Sequence, residues 1–326
     1  MCIRDRHEIP LAGGEARAIF THVSSIKKIY PSPDGRRLAF TATDAPPEQK
    51  EALEDKGFKA IVYEESEQTR RVWILDLETL EVHGHDLPGS ASDLAWSPDG
   101  QRYAVALAPT PLIDDSYTSR DIYVITAESG EVEGRMSSVG KLGYFQFSPD
   151  GEHLAWIGSA DIHDPQEGRL YVAPRDSGVQ QDLIPDYPGH VTDFTWHDND
   201  NIYWFGDRGV WSEWATASID GPTAAGAAPE SGPIISSVDG QPGHEAIAAI
   251  AHTPQHPPEV YVLRQGSAPQ RLTDTNPLLG DRSRARQEAI TYQARDGLSL
   301  EAILIHPSQK QAGGNPLIIF AHGGPE

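Results

Sequence analysis

A single cysteine, Cys2, in 326 residues excludes an internal disulfide and any small fold stapled by several of them. It leaves the compartment open between the cytoplasm and the bacterial periplasm. Long apolar runs are also lacking: no stretch approaches the ~20 residues that a membrane-spanning helix needs, so no membrane span is expected. Met1-Cys-Ile-Arg-Asp-Arg6 has no apolar segment of the kind that drives secretion. Basic residues are scarce, with 26 Lys and Arg against 48 Asp and Glu, a formal charge of -22 that repels phosphate backbones and argues against nucleic acid as a partner. Stretches free of helix breakers are short as well. Thirty Gly and 26 Pro, roughly one residue in six, exclude a helical bundle or coiled coil. Bulky side chains are present: seven Trp, 11 Tyr and 8 Phe supply a large core, although hydrophobic residues make up only 38%. At roughly 150 residues per domain the length corresponds to about two domains, or one large β architecture and part of another.

The Gly and Pro are not scattered. Ser32-Pro-Asp-Gly35, Ser97-Pro-Asp-Gly100 and Ser148-Pro-Asp-Gly151 are copies of one turn, and looser copies follow at Trp196-His-Asp-Asn-Asp200 and Ser237-Val-Asp-Gly240. Proline presets φ, aspartate bonds its own backbone, and glycine accepts positive φ, so each copy predicts a strand-turn-strand hairpin. Apolar segments flank the turns, such as Leu94-Ala-Trp96 before and Tyr103 to Leu107 after the second. A third alternating strand follows in each unit: Val72 to Leu75, Ile122 to Ile125, Leu170 to Val172, Val210 to Trp214 and Val260 to Leu263. Units of roughly 40 to 50 residues, each a small antiparallel sheet, with an insertion lengthening the first spacing, predict a mainly β protein, a β-propeller. Five turn signals plus a leading strand, Ala16 to Phe20, amount to five to six blades. An insertion from Ala45 to about Glu67 carries a short charged helix, Glu48 to Lys56, and the acidic pair Glu64 and Glu65.

Beyond Arg271-Leu-Thr273 the pattern changes. Asp274 to Asp281 reads as a linker, and Glu288 to Ala294 and Leu298 to Ile305 form a hairpin about Arg295-Asp-Gly297. Pro316-Leu-Ile-Ile-Phe-Ala321 has the continuous apolar character of a strand buried on both faces, and runs into His322-Gly-Gly-Pro325. An α/β-hydrolase uses such a turn as its oxyanion loop, where glycine lets a backbone N-H approach the tetrahedral intermediate.

These turns, the Asp296-Gly297 hairpin and the Pro316 to Pro325 segment together resemble the prolyl oligopeptidase family of serine peptidases, especially its acylaminoacyl-peptidase and dipeptidyl-peptidase branches. The resemblance covers nearly the whole chain. It implies a propeller over residues 1–280, lacking part of the family's seven or eight blades at its start, and the first strands of an α/β-hydrolase peptidase domain over 281–326. It implies short peptides as substrates, exclusion of folded proteins, no cofactor and no metal. Gly323 and Gly324 are the expected oxyanion-loop residues, with His322 orienting the loop. No Gly-x-Ser-x-Gly pentapeptide occurs. The family's Ser, Asp and His follow the oxyanion strand, so all three are expected beyond Glu326, and the chain alone is expected to be inactive. Two other readings are a non-enzymatic propeller resembling TolB-like or WD-repeat proteins, and an esterase of the hydrolase superfamily.

Other residues invite roles. Acidic pairs in such peptidases hold a substrate amino terminus, yet Glu64 and Glu65 also fit a solvated loop. His252 and His256 have helical zinc spacing, but Pro254, Pro257 and Pro258 forbid the helix. His83 and His85 are expected to be exposed. Trp204, Trp211 and Trp214 are expected in the core rather than along a channel. Ser90 and Ser92 lack the context of a nucleophile.

Overall fold

A computed structural model describes residues 5–45, 47–60, 62–64, 67–163, 167–224, 226, 229–280, 282 and 284–321. Two short strands, β1 (Asp5–Glu8) and β2 (Arg17–Thr21), pair first. Then come four-stranded sheets: β3 (Ile29–Pro31), β4 (Arg37–Thr43), β5 (Arg70–Asp76) and β6 (Val82–His85); β7 (Ser90–Trp96), β8 (Arg102–Ala108), β9 (Asp121–Thr126) and β10 (Val132–Met136); and β11 (Leu142–Phe147), β12 (His153–Ser159), β13 (Gly168–Pro174) and β14 (Gln181–Asp182). A three-stranded sheet follows, β15 (His190–Trp196), β16 (Asn201–Arg208) and β17 (Trp211–Ser218), then a four-stranded one, β18 (Ile234–Asp239), β19 (Ile247–Thr253), β20 (His256–Leu263) and β21 (Gln270–Arg271). The hairpin β22 (Gln287–Gln293) and β23 (Ser299–Ile305) ends the series. Strands are neighbours in sequence order throughout, so every sheet is a meander. Helix α1 (Glu48–Asp55) occupies the insertion, and a second helix, α2 (Ile113–Thr118), follows β8.

The three Ser-Pro-Asp-Gly turns share one hydrogen-bond pattern. Each serine Oγ donates to its aspartate Oδ1 at 2.6 Å and accepts at 2.9 Å from the first N-H of the next strand, that of Arg37, Arg102 or His153. The glycines take φ of 69°, 67° and 74°, the left-handed conformation that closes the turn. At the looser copy, Asp198 takes over the serine's work by accepting from the Asn201 N-H at 2.8 Å. The last copy differs from expectation: Ser237 to Asp239 belongs to β18, and the turn is the longer connection 240–246. Without a proline to set its φ, Ser237-Val-Asp stays extended and pairs with β19.

The chain divides into two compact units, Met1–Ile162 with Tyr171–Gln180, and His163–Leu170 with Gln181–Glu326. In the first, successive sheets pack face to face. Met136, Ile122 and Val124 meet Phe145, Leu154 and Trp156 of the following sheet, while Val72 and Ile74 meet Leu94, Tyr103 and Val105. Fully burying each such side chain contributes about 1.5–3 kcal/mol. In the second unit, Tyr203 and Phe205 of β16 pack on Ile247, Ala249 and Leu263.

The expected strand at Pro316 to Ala321 does not form. The segment has no strand conformation, and Leu317 and Phe320 are 73% and 88% exposed. A strand apolar on both faces needs neighbours for its backbone and cover for its faces, and no strand pairs with this segment among the described residues.

Candidate functional site

His322, Gly323 and Gly324, the expected oxyanion-loop residues, lie outside the described residues, as does Glu65. Glu64 sits in an exposed turn with φ of 64°.

The second unit holds a cleft of about 470 Å³, walled by β17 to β20 on one side and by the linker and the β22–β23 hairpin on the other. Its surface is mostly apolar, from Trp211, Ile234, Pro254, Pro257, Leu279 and Ile303. The histidine pair meets here on strands, not on a helix. Thr253 and His256 are partners across the β19–β20 turn, where the Gln255 N-H donates to Thr253 Oγ1 at 3.1 Å. His256 Nδ1 lies 2.8 Å from the Pro257 carbonyl and must donate to it, so Nε2 accepts from the Tyr261 hydroxyl at 2.7 Å. Burial pushes the Tyr261 hydroxyl above the usual tyrosine range, which keeps that proton in place. Both ring nitrogens of His256 are thus engaged within the wall of the cleft.

Two carboxylates set the walls. Glu259, only 2% exposed, accepts from Thr273 Oγ1 at 2.5 Å, from the Thr275 N-H at 2.8 Å and from Thr275 Oγ1 at 2.9 Å. The Thr273 bond is the main reason its carboxyl sits below the usual range. Glu259 thereby fixes the start of the linker whose Leu279 lines the cleft. Glu301 of β23 accepts from the Val210 N-H at 3.1 Å, and its carboxylate lies against Gly209. On the hairpin, Glu288 bonds Arg286, and its Oε1 lies 2.9 Å from His306 Nε2. Arg284 is half-buried in the cleft and donates to the Leu279 carbonyl at 2.9 Å. Among the described residues the lining includes no serine or cysteine, and its mostly apolar walls with a few polar groups have the character of a binding site.

The remaining sequence candidates separate. His83 is exposed, but His85, expected outside, is 6% exposed with Nδ1 2.6 Å from the Tyr103 hydroxyl, because strand alternation turns it inward. Trp204 is a core residue at 2% exposure, and Trp214 packs on Tyr203 and Phe205. Trp211 instead lines the cleft. Ser90 accepts from the Arg70 N-H at 3.2 Å, and Ser92 from Arg120 at 3.2 Å, both structural bonds. Sequence reasoning missed Arg284. Its signal was the alternation Arg282, Arg284, Arg286 in an otherwise acidic chain.

No family model matches the chain. Over 250 residues, 72% of its length, the chain is 26% identical to dipeptidyl-peptidase 5 of Porphyromonas gingivalis, spanning 35% of that protein. The fold matches acylaminoacyl peptidase of Pyrococcus horikoshii with a TM-score of 0.63 at 18% identity, over 93% of this chain and 47% of that one. It also matches a candidate dipeptidyl aminopeptidase IV of Bacteroides ovatus with a TM-score of 0.63 at 13% identity, over 94% and 52%. The chain therefore spans about a third to a half of the length of these relatives. The sequence relationship to dipeptidyl-peptidase 5, alongside the shared fold, supports a peptidase of the prolyl oligopeptidase family.

Proposed function

We propose that the chain is the front portion of a serine peptidase that cleaves short peptides, of aminoacyl-, acylaminoacyl- or dipeptidyl-peptidase type. The observation that carries this reading is the relationship to dipeptidyl-peptidase 5, which runs through most of the chain. In this reading residues 1–280 are blades of a β-propeller that admits short peptides and excludes folded proteins. The serial meanders and their face-to-face packing support it. Residues 281–326 open the α/β-hydrolase domain. A backbone N-H at Gly323 or Gly324 donates to the oxyanion, and His322 orients that loop. A serine that follows in the native polypeptide attacks the scissile carbonyl. A histidine takes its proton and returns it to the leaving amine, and an aspartate holds the imidazole in the correct tautomer. The exposed run Leu317 to Phe320 fits this reading, because it has the composition of a sheet strand awaiting neighbours.

The test is hydrolysis of dipeptidyl and acylaminoacyl p-nitroanilides by two proteins: this chain, and one that carries the downstream coding sequence of its native gene. The longer protein hydrolyses them and this chain does not. A longer protein that folds, contains Gly-x-Ser-x-Gly and cleaves esters but no amide would replace the peptidase with an esterase.

A further inference from the structure

The cleft described above contains a charge that no described residue neutralises. Arg284 is half-buried and lines the cleft with Leu279, Pro257 and Ile303, and its one hydrogen bond among the described residues, to the Leu279 carbonyl, leaves most of its five N-H donors unused. No carboxylate pairs with it among the described residues. The carboxylate lining the same cleft, Glu288, is committed to Arg286 and His306. His252, half-buried on β19, adds a second ring with no hydrogen-bond partner among the described residues. A guanidinium and an imidazole in a mostly apolar cleft lack, among the described residues, the anionic partner that would best satisfy them. A bound carboxylate supplies it. The apolar walls then require that this carboxylate sit on an apolar body, and about 470 Å³ falls in the size range of small-ligand sites. The walls are pre-formed. Glu259 pins the linker and Glu301 ties the hairpin to Val210, so little ordering is left for binding to supply.

We propose that this cleft binds the C-terminal residue of a short peptide: its large apolar side chain lies against Trp211, Ile234 and Ile303, and its carboxylate lies on Arg284 and His252. Gln287 lines the same cleft, next to where the preceding peptide group would lie. The choice of a peptide over other apolar carboxylates rests on the peptidase reading. The chemistry of the cleft does not.

The experiment is a calorimetric titration of the 326-residue chain with N-acetyl-L-phenylalanine, its C-terminal amide, and decanoate. The acid binds saturably and at least about tenfold tighter than the amide, the worth of a charge-assisted hydrogen bond. Arg284→Gln abolishes that preference, and Arg284→Lys, which keeps the charge, retains part of it. Ile303→Asp, on an exposed face of the hairpin, removes binding of both ligands while far-UV circular dichroism stays unchanged. Equal binding of acid and amide, or a preference that survives Arg284→Gln, overturns the proposal. Binding of decanoate without N-acetyl-phenylalanine also overturns it, by assigning the cleft to fatty acids. No bond is cleaved in this titration, so its failure is distinct from failure of the peptidase reading, which hydrolysis reports.

Discussion

Asp93 and Asp193 occupy the same place in two sheets. Each lies four residues before the turn that closes its hairpin, at a register shift in the first strand, in Ser90-Ala-Ser-Asp93-Leu-Ala-Trp96 and His190-Val-Thr-Asp193-Phe-Thr-Trp196. Their surroundings differ. Asp93 bonds Lys28, the residue just before β3 of the preceding sheet, and its Oδ2 lies 3.0 Å from Arg120, which also bonds the Leu142 carbonyl of the following sheet. Three sheets are linked through one carboxylate. Burial works against its ionisation, but the Lys28 bond and the two cations outweigh it and hold the carboxyl below the usual range. Burial raises the Asp193 carboxyl: it has bonds from the Phe194 and Val238 N-H groups and faces Asp239, with no cation beside it among the described residues. One position serves as a staple in the first unit and carries a desolvation cost in the second. The turns follow the same trend, since the three Ser-Pro-Asp-Gly copies belong to the first unit and the degenerate ones to the second.

This contrast can be broken or sharpened by substitution. The largest effect is expected at the turns: Ser148, fully buried with bonds to Asp150 and His153, loses about 1–3 kcal/mol on Ser148→Ala, whereas His197→Ala at the matching turn costs less than about 0.5 kcal/mol. Urea denaturation of both variants checks the difference, and equal losses would erase it. Next comes Asp93→Asn. Its folded carboxyl titrates below the unfolded value near 3.9, so its stabilisation is present above about pH 4 and is lost as pH falls through the folded value. The substitution costs about 1–2 kcal/mol at pH 7, less than a fully buried pair because the side chain is 36% exposed, and costs little in acid. The smallest effect has the opposite sign. Asp193 titrates above its unfolded value, so its ionised form opposes folding at pH 7 and its protonated form does not. Asp193→Asn therefore stabilises by about 0.5–1 kcal/mol at pH 7, a gain that disappears below about pH 4. A loss of stability at pH 7 would show that the two aspartates are alike.

Much of the fold was legible because identical turns repeat. Proline, aspartate and glycine act locally, so Ser32 to Gly35 closes the same way wherever it occurs. The fourth strands were not legible. Val82-His-Gly-His85, Gln181-Asp182 and Gln270-Arg271 carry few apolar residues, and pairing with a neighbour makes them strands. His85 was misread for the same reason, since its burial depends on Tyr103 of the next sheet. Pro316 to Ala321 shows the converse, a sequence composed as a strand that pairs with no strand among the described residues. The cleft escaped sequence reading because Trp211, His252, Arg284 and Ile303 are spread over more than ninety residues and come together only when two sheet edges and a hairpin converge.

The proposal that this chain supplies the gating and oxyanion parts of a serine peptidase but no nucleophile is checked by a fluorophosphonate probe with the label located by mass spectrometry. The account predicts no labelled serine in residues 1–326, and one labelled serine within Gly-x-Ser-x-Gly in the polypeptide extended by its native downstream sequence. A stoichiometrically labelled serine within residues 1–326 would contradict it.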